Sequence, residues 1–310
     1  MTGVAPGLQT RRGVLTTPRV GSIPMHFRQY SKQIIRIWFA LPRITLLKDQ
    51  IMKARLTGLF LTALLIGVLS IGATDTTSLP QSLDWRDNNG NFVTTPKDEG
   101  DCASCWAFAA AAMTESYTAI ENGDTDPTID LSEQALISCS HDGSCSRGGD
   151  TGTALDYIRD KGIPDEDCFP YEGAQDDCGK ICDDWESRVT KIPGWSWATK
   201  DDADTDAIKQ ALEKGPVTSW MHLMSDFENY TGGVYHCESS EHLGDHFVLL
   251  VGWDDADGAW IAKNNWGTDW GDGGFFKIAY GVCGIGQWAA RVGGHNAGDD
   301  DDDEQCGCGG

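Results

Sequence analysis

Nine of the eleven cysteines in this chain lie between positions 102 and 283, at 102, 105, 139, 145, 168, 178, 182, 237 and 283. So many thiols in one stretch imply an oxidised, cross-linked domain, provided the chain leaves the reducing cytosol. Export is written upstream. Met52-Lys53-Ala54-Arg55 is a short basic region, and Leu56–Gly72 follows it without a charge before polar sequence resumes at Ala73-Thr74-Asp75. That is the pattern of a secretory signal. It begins fifty-one residues into the chain, which leaves two alternatives. Either residues 1–51 are a basic extension ahead of a true start at Met52, or they are a cytoplasmic tail and 52–74 an uncleaved anchor just long enough to span a bilayer. The bases lie N-terminal to the apolar run in both cases, so everything after it is expected outside the cell or on its surface. Nine is also odd, so pairing among these cysteines alone cannot absorb them all.

Charge narrows the partners. Residues 1–56 carry ten Lys/Arg and one acid, whereas residues 75–310 carry fourteen bases against forty-six acids. A body this acidic is no nucleic-acid binder and has no attraction to an anionic membrane, so contact with lipid is expected only through segment 52–74. The 40% apolar content and twelve Trp exclude a disordered chain. Residues 293–310 are an acidic, Gly-rich tail in which Cys306 and Cys308 offer too few ligands for a closed zinc site.

Within the body the periodicity changes. Ser104–Gly123 is Ala-rich and ends on Asn122-Gly123; Leu131–Ser138 opens on Ser132-Glu133; Thr151–Gly162 stops before Ile163-Pro164. These predict three helices. Val217–Trp220, His246–Gly252, Trp260–Asn264 and Phe275–Tyr280 predict short strands broken by Gly/Asp turns. Helices followed by strands give an α+β class or two segregated subdomains. Asp202-x-Asp204-x-Asp206 with Glu213 imitates a calcium loop, but position six is Ala207 rather than Gly, and Ala207–Lys214 is itself helical in pattern. Asp254–Gly258 predicts a hairpin turn, and Asn229-Tyr230-Thr231 is a formal glycosylation sequon.

One cysteine stands apart chemically. Cys105 falls in the first turn of the Ala-rich helix, where backbone N–H groups and the macrodipole favour an anionic sulfur. Cys102-x-x-Cys105 has neither the βαβ context of a redox pair nor the second Cys pair of a zinc site. A nucleophilic thiolate needs a base and a group that orients the base. His246 opens an apolar strand, and Asn264 precedes the Trp/Gly-rich run Asn265-Trp266-Gly267.

Cys105, His246 and Asn264, in that order and with those flanks, resemble the papain-like cysteine peptidases over Leu79–Val292. The matching stretches are Leu83-Asp84-Trp85-Arg86, Cys102–Phe108, Leu131-Ser132-Glu133-Gln134, Phe169–Gly173, Asp245-His246-Phe247-Val248, Lys263–Gly267 and Gly281-Val282-Cys283-Gly284. The resemblance implies a left helical subdomain and a right β-barrel-like one with the site in the cleft between them. It implies Cys105 as nucleophile, His246 as general base and acid, Asn264 as orienter and Trp266 as the shield of the Asn–His bond. It implies disulfides Cys102–Cys145, Cys139–Cys178 and Cys237–Cys283, which leaves Cys168 and Cys182 for each other. A monomer acting on polypeptides, with no metal and no other cofactor, is the corresponding expectation.

Four departures matter. Glu99 stands where the family has a Gln that donates to the oxyanion. The Gly strip for substrate backbone becomes Gly148-Gly149 with one extra residue before it, and Trp220, Phe247 and Trp288 are expected to crowd the pocket for the second substrate side chain. Phe169–Met221 contains no His, so the paired-His loop of carboxydipeptidases is missing and endopeptidase action is expected. Only a few residues separate Thr74 from Leu79, so no inhibitory propeptide is expected there. The competing expectation, drawn from Glu99, is a catalytically impaired papain-fold domain serving in surface binding or adhesion.

Overall fold

The strand His242–Asp254 is the spine of the domain in the computed structural model, which describes residues 78–141 and 143–293. The basic extension, the apolar segment, and Cys306 and Cys308 lie outside those residues. Among the described residues no helix is long and apolar enough to cross a membrane.

Strand β1 is Ser82–Asp84, β2 Trp195–Thr199, β3 Val217–Met224, β4 Val234–Tyr235, β5 His242–Asp254, β6 Ala259–Lys263, β7 Phe275–Ala279 and β8 Ala289–Val292. Helix α1 is Cys105–Asn122, α2 Glu133–Cys139, α3 Thr151–Asp160 and α4 Thr205–Leu212. Six strands form one sheet in the order β1-β5-β6-β7-β4, with β3 also paired to β5; β2 and β8 form a separate antiparallel ribbon. All neighbours run antiparallel except β4 and β7. The ribbon is tied to β3 by the Trp220 N–H donating to the Gln287 carbonyl at 3.1 Å.

The alternation of β5 explains the two-sided packing. Phe247, Leu249 and Val251 face a core shared with α1, α2 and α3, whereas Val248 and Leu250 face a second core with Phe227, Trp260 and Phe276. A register shift between Leu250 and Gly252 then swings Trp253 into the second core. A strand buried on both faces reads as an unbroken apolar run, which is what Phe247–Val251 is.

Helix boundaries follow the local chemistry. The Ser132 hydroxyl accepts from the Ala135 N–H, and Asp150 caps α3 through the Thr153 N–H. Gly123 closes α1 in the left-handed region at φ 64°, where a side chain would be strained. Asp204 caps α4 through the N–H groups of Asp206 and Ala207, so a helix starts where the calcium-loop imitation would need a turn. The Asp254–Gly258 turn joins β5 to β6 as expected.

The structure corrects the segregation of helices before strands. β1, near the start of the described chain, pairs with the far end of β5, and β5 itself is thirteen residues long rather than seven. Short edge strands such as β1, β4 and β8 carry no periodicity of their own; their partners define them. Among the described residues Cys102–Cys145, Cys139–Cys178, Cys168–Cys182 and Cys237–Cys283 are joined as disulfides. The first ties the loop before α1 to the 143–149 loop and so anchors the start of α1.

Candidate active site

Helix α1 begins at Cys105 without help from its own cap residue. The Ser104 side chain makes no cap hydrogen bond; its hydroxyl is held by the Tyr171 phenol at 2.8 Å and by the Cys102 carbonyl. The open N–H groups of the first turn are instead met by Glu99. Its Oε2 accepts from the Ser104 N–H at 3.2 Å, and the Cys105 N–H also donates to the carboxyl group. Oε1 accepts from the Trp266 indole N–H at 3.0 Å. The Glu99 backbone is pinned as well, its N–H to the Asn265 carbonyl and its carbonyl to the Tyr171 phenol. Glu99 is buried, and that burial pushes its carboxyl up to about 8 against the opposing pull of those N–H donors.

His246 sits on β5 across from this helix end. Its Nε2 lies 2.8 Å from Asn264 Oδ1, and its Nδ1 faces Glu99 Oε1 at 4.0 Å. Burial lowers the imidazole to about 4, with the Asn264 hydrogen bond working the other way. The Trp266 ring leans on the imidazole at 5.1 Å between centroids and Phe227 lies behind it at 6.5 Å. One residue on, the Phe247 N–H points at Cys105 Sγ at 3.3 Å. Helix start and strand are therefore in direct contact at the sulfur.

Asn265 completes the junction and was not anticipated from the sequence. Its amide Nδ2 donates to the Phe247 carbonyl at 3.1 Å and reaches the Cys105 carbonyl at 3.4 Å, bridging α1 to β5. A buried Asn beside another Asn gives no sequence signal for such a staple; only its neighbours in space reveal it. Tyr171, within the Phe169–Gly173 stretch, is the second such support.

Residues 79–292 match the family described as papain family cysteine protease. The chain belongs to the papain family of cysteine proteases. Pro-cathepsin H of Bos taurus is 35% identical over 222 residues, 68% of this chain and 64% of the relative. Ananain of Ananas comosus is 30% identical over 232 residues, 70% and 63% respectively, so the chain spans under two thirds of both. A cysteine protease of Carica candamarcensis, solved in complex with E-64, aligns with a TM-score of 0.58 at 30% identity over 69% of this chain and 98% of that one. The papain fold, with α+β architecture, accounts for the helical and sheet halves meeting at Cys105 and His246.

The remaining papain-type positions are distributed unevenly. Gly148 has φ +72° and closes a small loop with Ser144, while a Cβ on Gly149 would overlap the buried Trp106 ring. Packing alone thus demands glycine at 149. Trp220 is 6% exposed and Phe247 0%, both in the helical-side core, whereas Trp288 is half-buried and stacks edge-on against Trp197. Fully buried, Phe247 packs in that core opposite Trp220 in the β3–β5 register, a correction to its expected role as a lining residue.

Proposed function

We propose that this domain is an exported cysteine endopeptidase in which the Cys105 sulfur attacks the peptide carbonyl. His246 takes the thiol proton and returns it to the leaving amine, forming a thioester; a water deprotonated by His246 then hydrolyses it and regenerates the thiol. Asn264 holds the imidazole through Nε2, which leaves Nδ1 turned toward the helix start. Burial keeps the imidazole neutral with its lone pair free to take a proton but weakens it as a base, and the thiolate formed beside it offsets this by stabilising the imidazolium. The observation that carries the reading is the Phe247 N–H on Cys105 Sγ next to the 2.8 Å His246–Asn264 pair.

Glu99 sets the working pH. Protonated, its carboxyl group can donate one hydrogen bond to the developing oxyanion; ionised, it repels that charge and retains the N–H groups of the helix start. Four disulfides and the apolar run 56–72 support export, with polypeptides as substrates and a monomer as the working unit.

The grip of Glu99 on the N–H groups of Ser104 and Cys105 favours a second reading, a domain with impaired chemistry that binds rather than cleaves. Labelling with the epoxide E-64 separates the two. One equivalent bound covalently, and none in Cys105→Ala, supports the peptidase; an unlabelled, folded parent protein leaves the binding domain.

A further inference from the structure

The peptidase chemistry leaves unused a cluster at the far end of the β3–β5 pair. His222 Nδ1, His242 Nε2 and Asp245 Oδ1 form a nearly equilateral triangle, with sides of 3.3 Å between the two nitrogens, 3.4 Å from His222 to the carboxylate and 3.3 Å from His242 to it. The three sit on one face for a defined reason. His222 is directly opposite Asp245, so both point the same way. A bulge at Leu243 shifts His242 opposite Met224, which turns it onto the face it would otherwise avoid. The two imidazoles then stand at 90° to each other, each presenting one nitrogen to a common point, and the His222 ring is braced by Trp220 at 4.4 Å.

Hydrogen bonding alone suits this triangle poorly. Each ring nitrogen carries at most one hydrogen, and that hydrogen serves one side of the triangle. A cation above the triangle accepts a lone pair from all three atoms at once. With Zn–N and Zn–O distances of about 2.0–2.1 Å, the edge of a tetrahedron of ligands is about 3.3–3.4 Å, the spacing found here. Two imidazoles and one carboxylate also discriminate. They suit zinc and other late first-row ions, whereas magnesium and calcium prefer all-oxygen shells.

We propose that His222, His242 and Asp245 bind one Zn²⁺ ion, with the fourth position open to solvent or to a ligand oxygen. Half of each histidine side chain is exposed, 47% for His222 and 48% for His242, so the ion has an entry path. Asp245 precedes His246, and successive strand residues point to opposite faces, so the Asp245 carboxylate points away from the His246 imidazole. It shares its face of the sheet with Trp220. The three residues follow no zinc spacing in the sequence; strand register assembles them.

The test is calorimetric titration of ZnCl₂ into the full chain carrying Cys105→Ala, which removes competition from the nucleophile and makes the result independent of peptidase activity. One equivalent is expected, weakened at least tenfold by His242→Ala and by the shape-preserving Asp245→Asn, with unchanged circular dichroism. Cobalt(II) in place of zinc is expected to give the visible bands of a four-coordinate ion in the parent and not in either variant. No binding in the parent, or binding that survives both substitutions, overturns the site.

Discussion

The indole N–H of Trp266 donates to Glu99 Oε1 at 3.0 Å, while the other carboxyl oxygen of Glu99 meets the first N–H groups of helix α1. One carboxyl group thereby joins the ring that lies against His246 to the residue that precedes Cys105 and helix α1. Trp266 is accordingly more than a hydrophobic cover.

Glu99→Gln is expected to leave activity at pH 7 little changed, to raise it by about tenfold or more at pH 9 and above, and to flatten the alkaline fall, since Glu99 loses its proton at about 8 and an oxyanion donor is worth roughly 10²–10³ in rate. A pH–rate profile without any such gain above pH 8 removes Glu99 from the mechanism. Stability supplies a second readout. With the carboxyl raised from 4.5 to about 8, the folded chain holds an extra proton in that window, so its stability falls as pH rises through it. Urea unfolding of Glu99→Gln is expected to lose that slope.

Asn264→Ala removes the 2.8 Å partner of His246. A hydrogen bond to a group that becomes charged is worth about 1.5–3 kcal/mol, so kcat/KM should fall by roughly ten- to a hundredfold. The loss is expected mainly in kcat, because Asn264 orients the base rather than binding the peptide. An unchanged kcat refutes the orienting role.

A buried charge network lies beneath the site and can be tested by stability alone. Glu115 accepts the Leu131 N–H at 3.0 Å and lies 3.5 Å from Lys97, which also binds Asp130 and Glu133. Lys263, the neighbour of Asn264, reaches the same network through Thr94 at 2.8 Å, and its burial holds its ammonium pKa below the usual value. Glu115→Ala strands these cations and is expected to cost about 3–5 kcal/mol of unfolding free energy in urea. A change under 1 kcal/mol would show the network to be incidental.

We propose that Trp220 and the half-buried Trp288 crowd the pocket for the second substrate side chain. A peptide library is expected to show cleavage favouring small or slender residues at that position. Equal rates for bulky aromatic residues there contradict the assignment.

Much of the molecule was legible one residue after another. The cap at Ser132, the stop at Gly123, the Asp254–Gly258 turn and the start of a helix at Cys105 depend on hydrogen bonds and dihedrals within a few positions, and such preferences are written locally. The order Cys105, His246, Asn264 carried the family for the same reason: each residue lies in a short stretch with its own character. Contacts between distant strands and loops are different. Trp266 and Glu99 are 167 positions apart, Asn265 staples Cys105 to Phe247, and a single bulged residue brings His242 to Asp245. Strand register and burial decide those encounters, and the upward shift of the Glu99 carboxyl exists only once the folded protein has removed it from water.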